Sequence, residues 1–304
     1  LNKVDLDIKF VDIKNFYNHL KYNTSKPIYI NNSNFFFRDQ NKEIISISKI
    51  KKFEYFFNLQ NKEKILNISG YLFGSNFKFN WKKNFSDPYI SESKLKFINP
   101  KIQILNSFNK ENENFVIAKT NLNFLRHNLD LNYKYNKDKV ELIDDKSKII
   151  NHSKLIGNIN LEPFFFDLNL ILSGIRIETV LNNLFKNLHK VNQSTNLNFN
   201  GNLKINLNEI NNRLFQDLII NINFLDEKIS LSNSSLNLKK IGKINFSDPA
   251  IYEKNQKIFI KSKIKFDVND QQELFRRFLI PRQNRVDLNK VYFEIEYNVD
   301  EGTY

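Results

Sequence analysis

Cysteine and methionine are absent from the 304 residues, glycine occurs only seven times, proline six times and tryptophan once. Without cysteine the chain can hold neither a disulfide framework nor a thiolate metal site. A phosphate-cradling loop needs several glycines to bring backbone amides close, and none is present. The GxxxG spacing of Gly70 and Gly74 lies inside a strand pattern. Turns therefore fall mainly to Asn, Asp, Ser and Lys. No run of 18 or more apolar residues marks a membrane-spanning helix. The chain opens at Leu1 in what reads as a strand and ends at Tyr304 soon after another. With no Met, this predicts a segment of a longer polypeptide, so the lack of a signal peptide says nothing about compartment.

Catalytic groupings are equally scarce. His19, His127, His152 and His189 show no ligand spacing, and solvated or locally bonded histidines are the plainer reading. Glu294 and Glu296 share one strand face, as a general acid and base would, but that face also carries Tyr292 and Asn298 and reads as solvated. Asp144 and Asp145 fall in a polar turn. No serine has the context of an activated nucleophile. A non-enzymatic protein without cofactor or metal is expected.

What is present in quantity is apolar alternation. The chain has 29 Phe, 41% hydrophobic residues and a mean hydropathy of -0.49. A formal charge of +13 points toward anionic partners. Yet Asn, Lys, Ile and Phe all have AT-rich codons, so coding bias accounts for much of the lysine. From Lys257 to Val268, Ile258, Ile260, Ile264, Phe266 and Val268 alternate with Lys and Asp, which predicts a half-buried strand. Asp270 and Glu273 form a capping-box signal, Leu274, Phe275 and Phe278 give a short apolar face, and Pro281 stops the helix. Val291, Phe293, Ile295, Tyr297 and Val299 restore the strand pattern.

The same strand-helix order recurs from Lys3 to Pro27 and from Phe164 to Lys190, which suggests an internal repeat. Between these lie one-face-buried strands expected to pair antiparallel, such as Tyr71 to Trp81, Val116 to Phe124, Leu129 to Tyr135 and Leu197 to Leu207. The tetrapeptide FSDP occurs at Phe85 to Pro88 and at Phe246 to Pro249, and both copies read as turns.

One cationic cluster stands out. Of eight arginines, Arg276, Arg277, Arg282 and Arg285 lie within ten residues. Arginine forks bind phosphate or carboxylate bidentately, so a lipid headgroup or a partner protein is one reading. Cations that simply complement a helix C-terminus are the other.

With FDVNDQQELFRRFLIP and RQNRVDLNKVYFEIEYNVD in view, together with GNLKINLNEI, LIININF and ISLSNSSLNLKKIGKINFSDP, the chain resembles the AsmA-like proteins. These are the bacterial group that includes the YhdP and TamB relatives. The resemblance is best over 196–304, an AsmA-like C-terminal unit, and diffuse over 1–195, an N-terminal part of the same β region. It implies a mainly β fold with a few short helices: an elongated, twisted antiparallel sheet curled into an apolar groove. It further implies a periplasmic segment, anchored in the inner membrane by a missing N-terminal part, that carries phospholipid acyl chains toward the outer membrane. Phospholipid, the membrane and an envelope protein are the implied partners, and nucleic acid is not one.

The candidate groove lining is Phe199, Leu203, Ile205, Ile222, Phe224, Ile258, Ile260, Ile264, Phe266, Val291, Phe293, Ile295 and Tyr297. Packed against helices or a second sheet, the same row would be an ordinary core. An outer-membrane β-barrel also alternates, but the helical inserts disturb a hairpin rhythm and no regular aromatic girdles stand out. A basic single-strand nucleic-acid binder ranks lower, because the aromatics sit in apolar rows without interleaved arginine.

Overall fold

The computed structural model describes residues 5–9, 26–38, 44–84, 90–99, 101–110, 116–124, 127–136, 138–143, 153–161, 163–174, 176–193, 200–208, 210, 212–225, 228–231 and 233–301. Their architecture is one 19-stranded sheet.

Strand β1 (Asp5–Lys9) lies parallel to β2 (Ile28–Arg38). From β2 an antiparallel meander runs through β3 (Ile44–Asn58), β4 (Glu63–Leu72), β5 (Ser75–Asn84), β6 (Ile90–Phe97) and β7 (Ile102–Lys110). It continues through β8 (Val116–Phe124), β9 (His127–Tyr135), β10 (Lys139–Ile143), β11 (Lys154–Leu161) and β12 (Phe164–Ser173). Helix α1 (Ile177–Gln193) then crosses over, and β13 (Asn200–Asn208) pairs parallel to β12.

The meander resumes at β14 (Asp217–Leu225), which pairs with both β15 (Lys228–Leu231) and β16 (Ser234–Leu238). It goes on through β17 (Gly242–Lys254) and β18 (Lys257–Val268). Helix α2 (Gln271–Arg277) and a 3-10 turn (Arg282–Asn284) lead to β19 (Lys290–Asn298), antiparallel to β18. Among the described residues β1 pairs with β2 and β19 with β18, so the two edges do not meet and the sheet is not closed.

Residues directly opposite on neighbouring strands share a face, so the registers trace one apolar face through the whole sheet. One path runs Ile30, Phe53, Ile68, Phe79, Leu95, Ile104, Leu122 and Leu129. On β9 the face continues at Tyr133, then passes Leu142, Gly157, Leu168, Leu203, Ile222 and Leu231. The opposite face is mainly polar, with scattered apolar residues: Lys94, for example, stands opposite Asn80 on one side and exposed Leu105 on the other. Such alternation is what a sheet with one wetted face requires.

The sheet is therefore mainly antiparallel but mixed, with parallel joins at β1–β2 and β12–β13. Parallel neighbours need a crossover connection, and α1 supplies it between β12 and β13. This separates the three expected repeats. The unit β12–α1–β13 is a parallel crossover, whereas β18–α2–β19 is an antiparallel pair with a helix in its connection. The helix expected over Asp12 to Lys21 lies outside the described residues.

The second FSDP is not a turn. It lies within β17, where the register to β18 shifts between Ser247 and Ala250. Proline has no N–H for the ladder, so a strand accommodates it at a bulge. The first FSDP, Phe85 to Pro88, lies outside the described residues. The position 195/196 falls between α1 and β13, and the β12–β13 ladder runs across it.

Candidate functional site

Helix α1 decides what the C-terminal part of the apolar face can do. Ile177, Val180, Leu181, Leu184, Phe185 and Leu188 follow the spacing of one helix face. That face forms a single core with Leu172, Ile205, Leu207, Leu218, Ile220, Ile222, Leu231 and Ile260. Ile177, Val180, Phe185 and Leu188 are all buried, and their burial contributes on the order of 6–12 kcal/mol as an upper figure.

Three polar ties one and two turns apart fix the helix to β17 and to the end of β19. Asn182 Oδ1 accepts from the Tyr297 hydroxyl at 3.0 Å, Lys186 Nζ lies 2.9 Å from Asp300, and His189 Nε2 lies 3.0 Å from Glu253. The Lys186 ammonium, followed by the Ile258 amide at 2.9 Å, holds the Asp300 carboxyl below its ordinary range. Burial pushes the Tyr297 phenol upward, and Glu178 adds to the effect.

The candidate lining therefore divides. Ile205, Ile222 and Ile260 belong to the α1-covered core, with Leu203, Phe224, Ile258 and Tyr297 packed at its margin. Ile264 is also buried, on the same face as Phe246 and Phe293. Phe266 packs against a second cluster in which α2 contributes Leu274 and Phe275. Val291 and Ile295 are half-buried on the edge strand, and Phe293 is 42% exposed. Phe199 lies outside the described residues.

The central strands β7–β11 have the same alternation, and neither described helix packs over them. Ile104, Leu122, Leu131, Tyr133, Val140, Leu142, Leu155 and Ile159 are half-buried, as are Leu168 and Phe166 on β12, while Ala118, Leu129 and Leu161 on the same face are buried. Three buried clusters form among the described residues, and of the β7–β11 side chains only Phe124 packs against one, at its margin. Gly201 stands opposite Phe166, where a Cβ would come within 2.5 Å of that ring. Its absence lets Phe166 lie against Phe224, with centroids 5.4 Å apart. These central residues were readable as strands from their alternation, but nothing in the sequence separated an uncovered stretch of the face from a covered one.

A polar seam crosses this stretch. Asn106 Nδ2 donates to Ser93 Oγ at 3.1 Å, and Thr120 Oγ1 donates to Asn106 Oδ1. Tyr133 follows as a hydrogen-bond partner of Thr120, its phenol pushed up chiefly by burial. The seam pairs polar groups with one another, which offsets part of the cost of placing them within the apolar face. A trough of about 700 Å³ is lined chiefly by polar-face residues such as Lys82, Glu92, Lys94, Lys119 and Asp130, and also by Ser93, Asn106, Thr120 and Leu131.

The arginine cluster is partly spoken for. Asp270 accepts from the Glu273 amide at 2.9 Å and starts α2, but the Glu273 carboxylate does not complete a capping box. It takes Arg276 through two bonds of 2.8 and 2.7 Å and Arg277 through one of 2.8 Å. Arg276 first, then Arg277, holds that carboxyl below its ordinary range. Arg285 donates to the Ile280 carbonyl at 3.1 Å and lies over the Phe275 ring at 5.4 Å. Arg282 is exposed in the 3-10 turn.

Sequence reading missed Arg213, Lys239 and Lys240, which the fold brings to a cleft shared with Arg276 and Arg277. Pairing of β14 with β16 sets these distant segments side by side. Among the described residues no group of three or more His, Cys, Asp or Glu is arranged to hold a metal ion. No described helix is long and apolar enough to cross a membrane. Comparison with protein-family models, with curated proteins and with solved structures returned no match.

Proposed function

We propose that this chain is a non-enzymatic lipid carrier whose apolar sheet face holds phospholipid acyl chains over β7–β12. The observation that carries the reading is the largely half-buried apolar row from Ile104 to Leu168, interrupted by buried Leu129, on an open sheet and outside the buried clusters. Acyl chains are worth about 0.8 kcal/mol per buried CH₂, so a continuous row holds a chain without any one contact fixing it. A chain so held can slide along the row. On this reading the segment works in the periplasm of an inner-membrane-anchored protein similar to the AsmA-like group, and contributes to envelope assembly.

Native mass spectrometry with lipid extraction tests this on protein purified gently from a bacterial periplasm. Folded protein carrying phospholipid that detergent displaces is the expected result. Folded protein that neither carries nor takes up phospholipid would leave a β-rich scaffold. The observation favouring that second reading is α1, which turns half of the apolar face into core.

A further inference from the structure

The C-terminal end of α2 has a feature that packing does not explain. Ile280 N donates to Phe275 O at 2.9 Å and Leu279 N to Arg276 O at 3.4 Å, the two bonds of a Schellman helix ending. The position between them requires the left-handed conformation and is ordinarily glycine. Here it is Leu279, at φ 52° and 85% exposed. The chain accepts a strained backbone and leaves the leucine in water. Its chain neighbour Phe278 is 51% exposed, and Val286 in the same connection is 62% exposed.

Cations share this connection with the apolar residues and line the cleft beside α2. Arg276, Arg277, Arg282 and Arg285 come from the β18–β19 connection, and Lys239 and Lys240 from the β16–β17 turn across the cleft. Glu273 neutralises part of this charge and leaves a strong positive excess. Exposed leucine and phenylalanine in one connection with a cluster of cations match an anionic bilayer surface: the apolar tips enter the acyl boundary while the cations meet lipid phosphates. An acidic protein would satisfy the cations but gives no reason to hold a strained leucine in solvent.

We infer that the β18–β19 connection and the β16–β17 turn form a docking tip for an anionic membrane surface. This goes beyond the acyl-chain reading and does not depend on it. The test is co-sedimentation of the full chain with vesicles of phosphatidylcholine alone, and of phosphatidylcholine mixed with phosphatidylglycerol. Binding to the mixed vesicles only, weakening with salt, is expected.

Leu279→Gly relieves the backbone, so its melting temperature stays equal or rises while vesicle affinity falls roughly tenfold. The triple variant Lys239→Asn, Lys240→Gln, Arg282→Gln lowers affinity roughly a hundredfold. An equal charge loss on the polar trough, Lys82→Gln, Lys94→Gln, Lys119→Gln, leaves affinity near wild type. Leu131→Asp, aimed at acyl binding, leaves docking intact. Equal binding to neutral vesicles, wild-type affinity in Leu279→Gly, or equal losses in the two triple variants overturns the proposal. So does capture of an acidic protein without vesicle binding.

Discussion

Strands β13–β19 and strands β7–β11 are built from the same alternation, yet they end in different physical states. In the first group a helix with its own apolar face lies across the strands, and Ile222 and Val299 lose all contact with solvent. In the second, most side chains of the face stay half-buried, although Ala118, Leu129 and Leu161 are buried, and a hydrogen-bonded seam runs from Ser93 on the neighbouring β6 through Asn106 and Thr120. Between these two groups the difference follows the helix, whereas on β2–β5 Ile30, Phe53, Tyr55 and Leu66 form a buried cluster from strand side chains alone among the described residues.

Substitutions can break this comparison. Ile264→Asp places a carboxylate where the native side chain is 3% exposed, which costs on the order of 4 kcal/mol or more and unfolds the chain in denaturant titrations. Leu131→Asp, on the uncovered face where water reaches the new charge, costs roughly 1–2 kcal/mol but abolishes phospholipid uptake. If Leu131→Asp unfolds as readily as Ile264→Asp, the two regions do not differ. Ile295→Asp, on the half-buried edge strand, falls between them in stability and reduces lipid retention less than Leu131→Asp does.

The smallest effect sharpens the role of the covering helix. Asp300→Asn removes the charge facing Lys186 and lowers stability by about 1 kcal/mol or less, since the pair is partly solvated. The Asp300 carboxyl is depressed in the folded state. Its contribution is therefore complete above the ordinary Asp range and is lost as pH falls through the folded value. Amide exchange in α1 of the wild type should quicken over that acid window. In Asp300→Asn it should already be faster at neutral pH, and its acid step should be smaller. An unchanged acid step would assign the loosening to another group, such as Glu273, whose carboxyl is shifted in the same direction.

Much of the sheet was legible because local rules and final environment agree. The alternation from Ile258 to Val268 and from Val291 to Tyr297 became β18 and β19, and Asp270 caps the helix between them. The parallel joins were not legible, because alternation fixes a strand's faces but not its partner's direction. The second FSDP misled for a related reason: Asp-Pro punctuates a turn and a bulge alike, and only the ladder to β18 distinguishes them. For the candidate lining, parity correctly placed Ile205, Ile260 and Ile264 on one face with Phe224 and Phe266. The cover over that face comes from α1, a long-range packing partner whose position no local pattern specifies. The charge of the arginine cluster was visible, but the pairing to Glu273 and the left-handed Leu279 depend on how α2 ends.

Photo-cross-linking reads the difference between the two regions most directly. A photoreactive amino acid placed at Leu131, and in a separate protein at Ile222, is irradiated in folded full-length chain equilibrated with phospholipid. The account predicts a lipid adduct at Leu131 and none at Ile222. Adducts at neither position, or an adduct at Ile222 with none at Leu131, would contradict it.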